Sequence, residues 1–289
     1  MHIDAYRPKR YDLTGDYLEV WDFLYRHGGQ GNLQNWPWPR WEWLMSHSYL
    51  TEDLPPLIGI GRQDGRMVAL ATHDLNLGQA YLLTEPGGEV YLPALLAYAE
   101  DHLAGPDGLA VAMEAKDQAL RSLLLEAGYR PGDEQEVILT HDLKDLDYEL
   151  PRGYGMVSLA DEDRPQAYKA VIWRGFDHGD DVPPVQPEDD VPRPHEAATL
   201  KLFVKAPDDS YAAHCGMWYT PGDACAYVEP VCTVPRYRRM GLGKAAVVEG
   251  LRRCRDLGAP CALVISDQEF YLALGFRETA RYDFLLRQP

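Results

Sequence analysis

The sequence predicts an α/β fold with mixed sheets, built twice in tandem. Short β-prone segments alternate with helical patterns along the 289 residues, and the second half repeats the order of the first. The segments LLLEAGYRP, at 123–131, and FYLALGFRE, at 270–278, are locally similar, and each follows a short apolar strand. Two copies of one fold, at 1–147 and 148–289, explain this repeat best.

The first copy begins with a predicted strand at Ile3 to Arg7 and a helical pattern at Leu13 to Arg26. Four tryptophans follow within eight residues, and we expect them to pack in a core or domain interface rather than to line a substrate cleft; they are Trp36, Trp38, Trp41 and Trp43. Three strands come next, with Asp64-Gly65 as a hairpin turn. The copy closes with a helix, a strand, a helix and a strand, at 90–103, 109–113, 118–127 and 137–140.

The second copy begins with a predicted strand at 154–159 and a helix at 164–175. An acidic, proline-rich passage at 177–194 follows, and its carboxylates either attract an amine or belong to a solvated loop without a ligand. Three strands, a helix, a strand, a short helix and a last strand complete the copy, at 200–204, 211–219, 226–233, 242–257, 261–265, 269–274 and 282–287.

The composition narrows the class of partner. A net charge of -17 disfavours nucleic acid and anionic membrane as partners and is compatible with a cationic substrate. No apolar run approaches the roughly 20 residues of a membrane span, and the first residues lack an apolar leader, so we expect a cytoplasmic protein. The cysteines are expected to be small, buried and unpaired, rather than a zinc site or a disulfide framework; they are Cys215, Cys225, Cys232, Cys254 and Cys261.

The stretch EPVCTVPRYRRMGLG, at 229–243, predicts a ligand site. It reads as a strand, a glycine-bearing turn and a helix start, and the bare N–H groups of a helix start bind anions. The glycines allow close approach of the backbone to a diphosphate, and the arginines add positive charge. At the corresponding position of the first copy stand Glu85 and Glu89, which would repel a diphosphate, so we expect that copy to lack the site.

Arg238, Gly241 and Gly243 resemble the Q/R-x-x-G-x-G/A signature of the GCN5-related N-acetyltransferases, and FYLALGF, about thirty residues later, resembles the second landmark of that family. The resemblance covers 211–287 directly. The whole chain looks like the tandem-domain type and is similar in layout to mycothiol synthase. The resemblance implies that acetyl-CoA binds with its pantetheine arm along Val231, Cys232 and Thr233. It also implies a loop that wraps the pyrophosphate, formed by Arg236, Arg238, Arg239, Met240, Gly241, Leu242, Gly243 and Lys244.

The same resemblance implies that Tyr271 is the general acid that protonates the departing CoA thiolate. The first copy has Leu124 at this position. Glu229 is a candidate base that acts through water; the alternative is a polar residue at the strand bend before Pro230. Strand alternation places Tyr227, Glu229 and Val231 on one face. His214 is a second candidate base.

The predicted reaction is direct transfer of acetyl from acetyl-CoA to a primary amine, without a metal or a covalent enzyme intermediate. A small-molecule acceptor is expected, and a small amine, an antibiotic, an amino acid and a protein N-terminus all stay open. The second copy would be active and the first a scaffold. Three alternatives stay open: a non-catalytic acyl-CoA-binding or sensor protein, an acyltransferase for a different acyl-CoA, and an acceptor similar to a mycothiol precursor. The oligomeric state is likewise open.

Overall fold

A computed structural model describes residues 2–7, 15–28, 35–47, 50, 52–186 and 193–288. The chain forms two compact units: unit 1 is Met1–Ile138 together with Glu278–Pro289, and unit 2 is Leu139–Arg277. The predicted domain ranges, 1–147 and 148–289, stay a prediction; the compact units differ from them because the last strand belongs to unit 1. The start of the first predicted helix and residues 187–192 of the acidic passage lie outside the described residues.

The predicted α/β fold with mixed sheets is confirmed. The first half contains β1 (Ile3–Ala5), α1 (Asp16–Gly28), α2 (Trp38–Ser46), β2 (Gly59–Gln63), β3 (Arg66–Thr72), β4 (Gln79–Thr84), α3 (Leu92–His102), β5 (Leu109–Glu114), α4 (Gln118–Glu126) and β6 (Arg130–His141). The second half contains β7 (Gly155–Ser158), α5 (Pro165–Gly175), β8 (Lys201–Lys205), β9 (Tyr211–Trp218), β10 (Ala226–Thr233), α6 (Leu242–Asp256), β11 (Ala262–Ile265), α7 (Glu269–Ala273) and β12 (Arg277–Arg287). Of the helices in the described residues, none is long and apolar enough to cross a membrane.

The predicted repeat appears as a repeated strand topology. In unit 1 the strands β1 to β4 pair antiparallel in succession, and β4 then pairs parallel with β5. In unit 2 the strands β7 to β10 pair antiparallel in succession, and β10 then pairs parallel with β11. A parallel pair after an antiparallel meander requires a crossover helix, which is α3 in unit 1 and α6 in unit 2.

The sheet of unit 1 takes its last strand from the other end of the chain. β12 pairs antiparallel with β5 over the residues from Tyr282, opposite Glu114, to Arg287, opposite Leu109. Leu285 is 2% exposed and belongs to the core that α3 and α4 form with β3, β4 and β5. β12 therefore completes both the sheet and the core of unit 1.

The tryptophan segment packs into the core of unit 1. Trp36 and Trp41 are fully buried. The ring of Trp41 contacts Tyr6 edge-on, at 5.4 Å between centroids, and lies 5.8 Å from Tyr17. Core packing, one of the two roles expected for these tryptophans, is thus confirmed for Trp36, Trp38 and Trp41, whereas Trp43 is half-buried. Trp38, Trp41 and Trp43 lie on α2, a helix that was not predicted.

Unit 2 packs one helix on each face of its sheet. Cys232 lies under α5, because a Cβ atom placed on Gly175 would come within 2.5 Å of its Sγ. Met217 lies under α6, where the same construction on Gly250 places a Cβ 2.6 Å from its Cγ. Opposite faces of the sheet therefore meet α5 and α6. α5 ends, and α6 begins, near the carboxyl end of β10.

The expectation that all five cysteines are unpaired is wrong for two of them. Cys225 and Cys261 form a disulfide, with their Cα atoms 4.6 Å apart. They stand immediately before the paired residues Ala226 and Ala262 of β10 and β11, so the strand register brings them side by side. The other three cysteines are buried and free, as expected.

Candidate active site

The central feature of unit 2 is a gap between β10 and β11. The two strands pair only at Ala226 with Ala262 and at Tyr227 with Leu263. β10 then continues to Thr233, whereas β11 ends at Ile265. Beyond Tyr227, no strand of the described residues pairs with this backbone edge of β10. Such an edge can bond an extended ligand as it would bond another strand.

Backbone alternation determines which groups of β10 face the gap. Val234 donates its N–H to the Ala212 carbonyl of β9, at 3.0 Å. Successive residues of an antiparallel strand direct their backbone N–H and C=O groups alternately to its two edges. The backbone groups of Cys232 therefore also point to β9, and those of Val231 and Thr233 point to the gap. Of the three residues predicted to pair with a pantetheine arm, Val231 and Thr233 thus direct their backbone groups into the gap, and Cys232 does not.

A bulge separates the two halves of β10. Val228 pairs with Met217 and Val231 with Cys215, so the register shifts across Glu229 and Pro230, whose peptide bond is cis. The prediction that alternation keeps Tyr227, Glu229 and Val231 on one face is wrong. The bulge adds a residue, so Tyr227 and Val231 lie on opposite faces of the sheet.

The bulge holds the carboxylate of Glu229 in a defined position. Trp218 donates its indole N–H to the Glu229 carbonyl at 2.7 Å. Tyr227 donates its hydroxyl hydrogen to Glu229 Oε2 at 2.5 Å. Sequence reasoning missed both partners as functional residues, although the i, i+2 spacing of Tyr227 and Glu229 on a strand was a signal for this contact.

Gly216 makes the bulge possible, and its substitution tests this. A Cβ at this position would collide with the Glu229 carbonyl oxygen and would come within 2.9 Å of Pro230 Cδ. We expect Gly216→Ala to destabilise the fold by about 1–3 kcal/mol, because the bulge backbone must move. Denaturant unfolding measures the loss. Gly155→Ala is the control, because a Cβ there meets open space; equal stability of the two variants would contradict the role of Gly216.

The helix start at the end of β10 is open to an anion. α6 begins at Leu242, and its N-cap residue, Gly241, has φ +78° and no side-chain cap. Gly243 lies so close to β10 that a Cβ on it would come within 2.8 Å of Thr233 Oγ1. Because no side chain of the described residues caps this helix, its first N–H groups are available to a ligand at the end of the gap.

Two of the predicted arginines are held by carboxylates. Arg236 contacts Asp208 at 3.2 Å. Arg238 contacts Asp177 at 2.8 Å and also donates to the carbonyl oxygens of Gly175 and Thr233, at 3.1 and 3.0 Å. These bonds tie the loop to α5 and β10, so both arginines have a structural task in the absence of a ligand.

The remaining cations of the loop are free to meet a ligand. Arg239 and Lys244 are exposed, and neither pairs with a carboxylate within the described ranges. Arg239 has φ +63°, a left-handed conformation that is unusual outside glycine. Met240 is 39% exposed, and its sulfur accepts a hydrogen bond from Tyr154 at 3.8 Å, whereas Leu242 is buried in the core.

Tyr271 lies on α7, between two phenylalanines. Its ring centroid is 5.0 Å from that of Phe270 and 5.6 Å from that of Phe276. The side chain is 7% exposed, but the hydroxyl is not among the fully enclosed polar atoms. Burial raises the pKa of Tyr271, with further contributions from Cys215 and Glu229. Both predicted catalytic side chains lie in unit 2.

His214, the second candidate base, is enclosed in the core. It is fully buried on β9, and its Nδ1 lies 2.9 Å from the Leu202 carbonyl oxygen. Burial lowers the pKa of His214 to about 3, with the charge of Lys201 adding to the effect. Such a weak and inaccessible base does not suit proton removal from a substrate.

Part of the second half of the chain is similar to a known protein family. Residues 155–276 match the sequence model of the acetyltransferase (GNAT) family. No curated protein sequence matched the chain.

Three solved structures show the fold. A GCN5-related N-acetyltransferase from Sphaerobacter thermophilus is similar over 99% of this chain and 95% of its own, with 17% identity and a TM-score of 0.56. A tandem GNAT protein from the clavulanic acid biosynthesis pathway is similar over 99% and 98%, with 14% identity and a TM-score of 0.60. A GCN5-related N-acetyltransferase from Kribbella flavida is similar over 76% and 86%, with 20% identity and a TM-score of 0.51.

Proposed function

Since residues 155–276 form a domain of the acetyltransferase (GNAT) family, we propose that this chain is an N-acetyltransferase that moves acetyl from acetyl-CoA to a primary amine on a small molecule. The observation that carries the proposal is the gap between β10 and β11, which ends at the uncapped start of α6. The transfer site belongs to the copy at 148–289, and the copy at 1–147 has no acyl-CoA site.

The gap suits the pantetheine arm of acetyl-CoA. The arm contains two amide groups, and the edge of β10 offers backbone donors and acceptors of Val231 and Thr233 in the same plane. Arg238 donates a hydrogen bond to the Thr233 carbonyl oxygen at 3.0 Å. The Thr233 N–H and both backbone groups of Val231 remain for the arm. Cys232 contributes packing below the arm rather than hydrogen bonds to it.

The start of α6 suits the diphosphate of the same substrate. Backbone N–H groups from Gly241 to Lys244 would donate to phosphate oxygens, and the helix dipole adds to the attraction. Arg239 and Lys244 supply the free positive charge. Arg236 and Arg238 hold the loop in shape, and their carboxylate partners reduce the charge that they present.

The chemistry assigns one proton step to each catalytic side chain. Glu229 accepts, through water, the proton that the amine nitrogen loses as its lone pair forms the bond to the acetyl carbonyl carbon. The carbon–sulfur bond breaks, and Tyr271 gives its hydroxyl proton to the departing thiolate. Tyr227 holds Glu229 Oε2 and orients the carboxylate, which makes it a positioning residue.

Binding of acetyl-CoA to Gly241→Trp tests the proposal. The indole would fill the open space at the helix start, where a Cβ meets no atom within 4 Å. We expect the dissociation constant, measured by isothermal titration calorimetry, to rise at least about tenfold, because the diphosphate loses its N–H donors. A wild type that does not bind acetyl-CoA, or a variant that binds it equally well, would refute the proposal.

Gly65→Trp is the matched control. Gly65 has φ +76°, close to the +78° of Gly241, and also faces open space, but it lies in the hairpin turn of unit 1. The control carries the same backbone strain and should bind acetyl-CoA like the wild type. Binding that is tight in the wild type, without acetyl transfer to any of a panel of amines, would favour the acyl-CoA sensor instead.

A further inference from the structure

Unit 1 contains its own cavity, at the place in the repeat that corresponds to the gap of unit 2. β4 and β5 pair only from Gln79, opposite Ala110, to Tyr81, opposite Ala112, and then separate. A cavity of about 500 Å³ lies between the separated ends, bounded by the loop before α3 and the first turn of α4. Its volume is within the range of small-molecule sites.

One polar atom in the wall of this cavity lacks a partner. Asn35 lines the cavity and is 5% exposed. Its Nδ2 donates to Glu136 Oε2 at 2.9 Å, and this acceptor-only partner fixes the orientation of the amide. The amide oxygen, on the other branch, accepts no hydrogen bond from the described residues. The oxygen is not among the fully enclosed polar atoms, so it is open to the cavity and can accept a hydrogen bond from a ligand.

The carboxylates around the cavity are only partly neutralised. Glu85 is paired with Arg26 at 2.6 Å and with Arg66 at 2.8 Å. Glu114, by contrast, is half-buried in the cavity wall, and no lysine or arginine of the described segments pairs with it. Glu89, Lys116 and Asp117 also line the cavity, and their formal charges leave one further negative charge. Glu114 thus leaves an uncompensated negative charge inside the cavity.

An aromatic ring lies beside this charge. Tyr282 is the cross-strand partner of Glu114, so their side chains share one face of the sheet. Tyr81 also lines the cavity and is 2% exposed. Its hydroxyl donates to Glu136 and accepts from Arg40, and the Arg40 guanidinium lies 4.8 Å from the centroid of its ring, so the ring beside Glu114 is that of Tyr282. Carboxylate, amide oxygen and aromatic ring are together the groups that recognise an organic cation.

We propose that this cavity binds the ammonium group of a small alkyl amine, with Glu114 as the charge partner and the Asn35 amide oxygen as a hydrogen-bond acceptor. An ammonium group carries several N–H donors, and the Glu114 carboxylate and the Asn35 amide oxygen are acceptors that match them. An acyl-CoA does not match it, because Glu85 and Glu89 stand where a diphosphate would lie. The inference is independent of the acetyl transfer proposed for unit 2.

Binding of butane-1,4-diamine, compared with the isosteric butane-1,4-diol, tests the inference on the full chain. We expect calorimetry at neutral pH to give a dissociation constant at least tenfold lower for the diamine. Glu114→Gln keeps the shape of the side chain and removes its charge, so it should weaken diamine binding about tenfold or more. Equal binding of diol and diamine, or unchanged binding to Glu114→Gln, would overturn the inference.

Further variants separate this cavity from an amine site in unit 2. Glu126→Gln removes an exposed carboxylate of α4 outside the cavity and should leave diamine binding unchanged. Glu229→Gln, in unit 2, should also leave it unchanged; loss of binding there, with full binding to Glu114→Gln, would place the diamine in unit 2. If Glu114→Gln does not fold, Ala119→Trp, which narrows the cavity at an exposed position, replaces it and should weaken binding likewise.

Discussion

Tyr271→Phe should lower kcat by about two to four orders of magnitude and leave the dissociation constant of acetyl-CoA unchanged. The substitution removes only the hydroxyl, and the ring keeps its contacts with Phe270 and Phe276. Without a proton donor, the CoA thiolate must leave as an anion in a site shielded from water. Steady-state kinetics with an accepted amine, together with calorimetry for acetyl-CoA, separate catalysis from binding.

Tyr148→Phe is the matched control for this experiment. Its hydroxyl donates to Glu249 at 3.2 Å, away from the gap, so its loss should change kcat less than twofold. Retention of more than half of the wild-type kcat by Tyr271→Phe would show that another group protonates the thiolate. The pH profile gives a second readout. Burial raises the pKa of Tyr271, so the active protonated form persists to higher pH, and no alkaline loss of rate should arise from it below about pH 10.

Removal of residues 278–289 should unfold unit 1. The deletion takes away β12, which pairs with β5 and supplies the buried Phe284 and Leu285, 1% and 2% exposed. Their loss exposes a strand edge and opens the core, an effect larger than that of ordinary single substitutions. Thermal unfolding by circular dichroism, and limited proteolysis of the first 138 residues, measure the result.

Removal of Gln288 and Pro289 alone is the control, because β12 ends at Arg287. That shorter deletion should shift the melting temperature by no more than about 2 °C. A chain without 278–289 that melts in one transition at the wild-type temperature would contradict the assignment of β12 to unit 1. The two deletions differ only in the strand itself, so the comparison isolates its contribution.

Local patterns predicted the elements of the site well. The glycines before α6 and the apolar spacing of that helix are signals within a few residues, and the predicted start at Leu242 is the observed one. Tyr271 was likewise predicted on a short helix before a glycine and a phenylalanine, where it lies. The roles proposed for these residues stay predictions.

Features that depend on strand partners were not predictable in the same way. The predicted face of Val231 was wrong because of the bulge, and the bulge depends on Gly216, a residue on the neighbouring strand. The disulfide depends on the register of β10 with β11 across a sequence separation of 36 residues. The engagement of Arg236 and Arg238 depends on Asp208 and Asp177, which stand far away in the sequence. The hydrophobic periodicity of a single segment carries no information about these contacts between distant segments.

The discontinuity of unit 1 has a consequence for synthesis on the ribosome. Unit 2 is complete once Arg277 has emerged, whereas unit 1 still lacks the strand that fills its sheet. At about 5–20 residues per second, the first 138 residues wait roughly 7–30 seconds for that strand after their own translation ends. The usual order, in which the amino-terminal domain folds first, should therefore be reversed in this chain, and nascent unit 1 should be a client of chaperones until β12 has emerged.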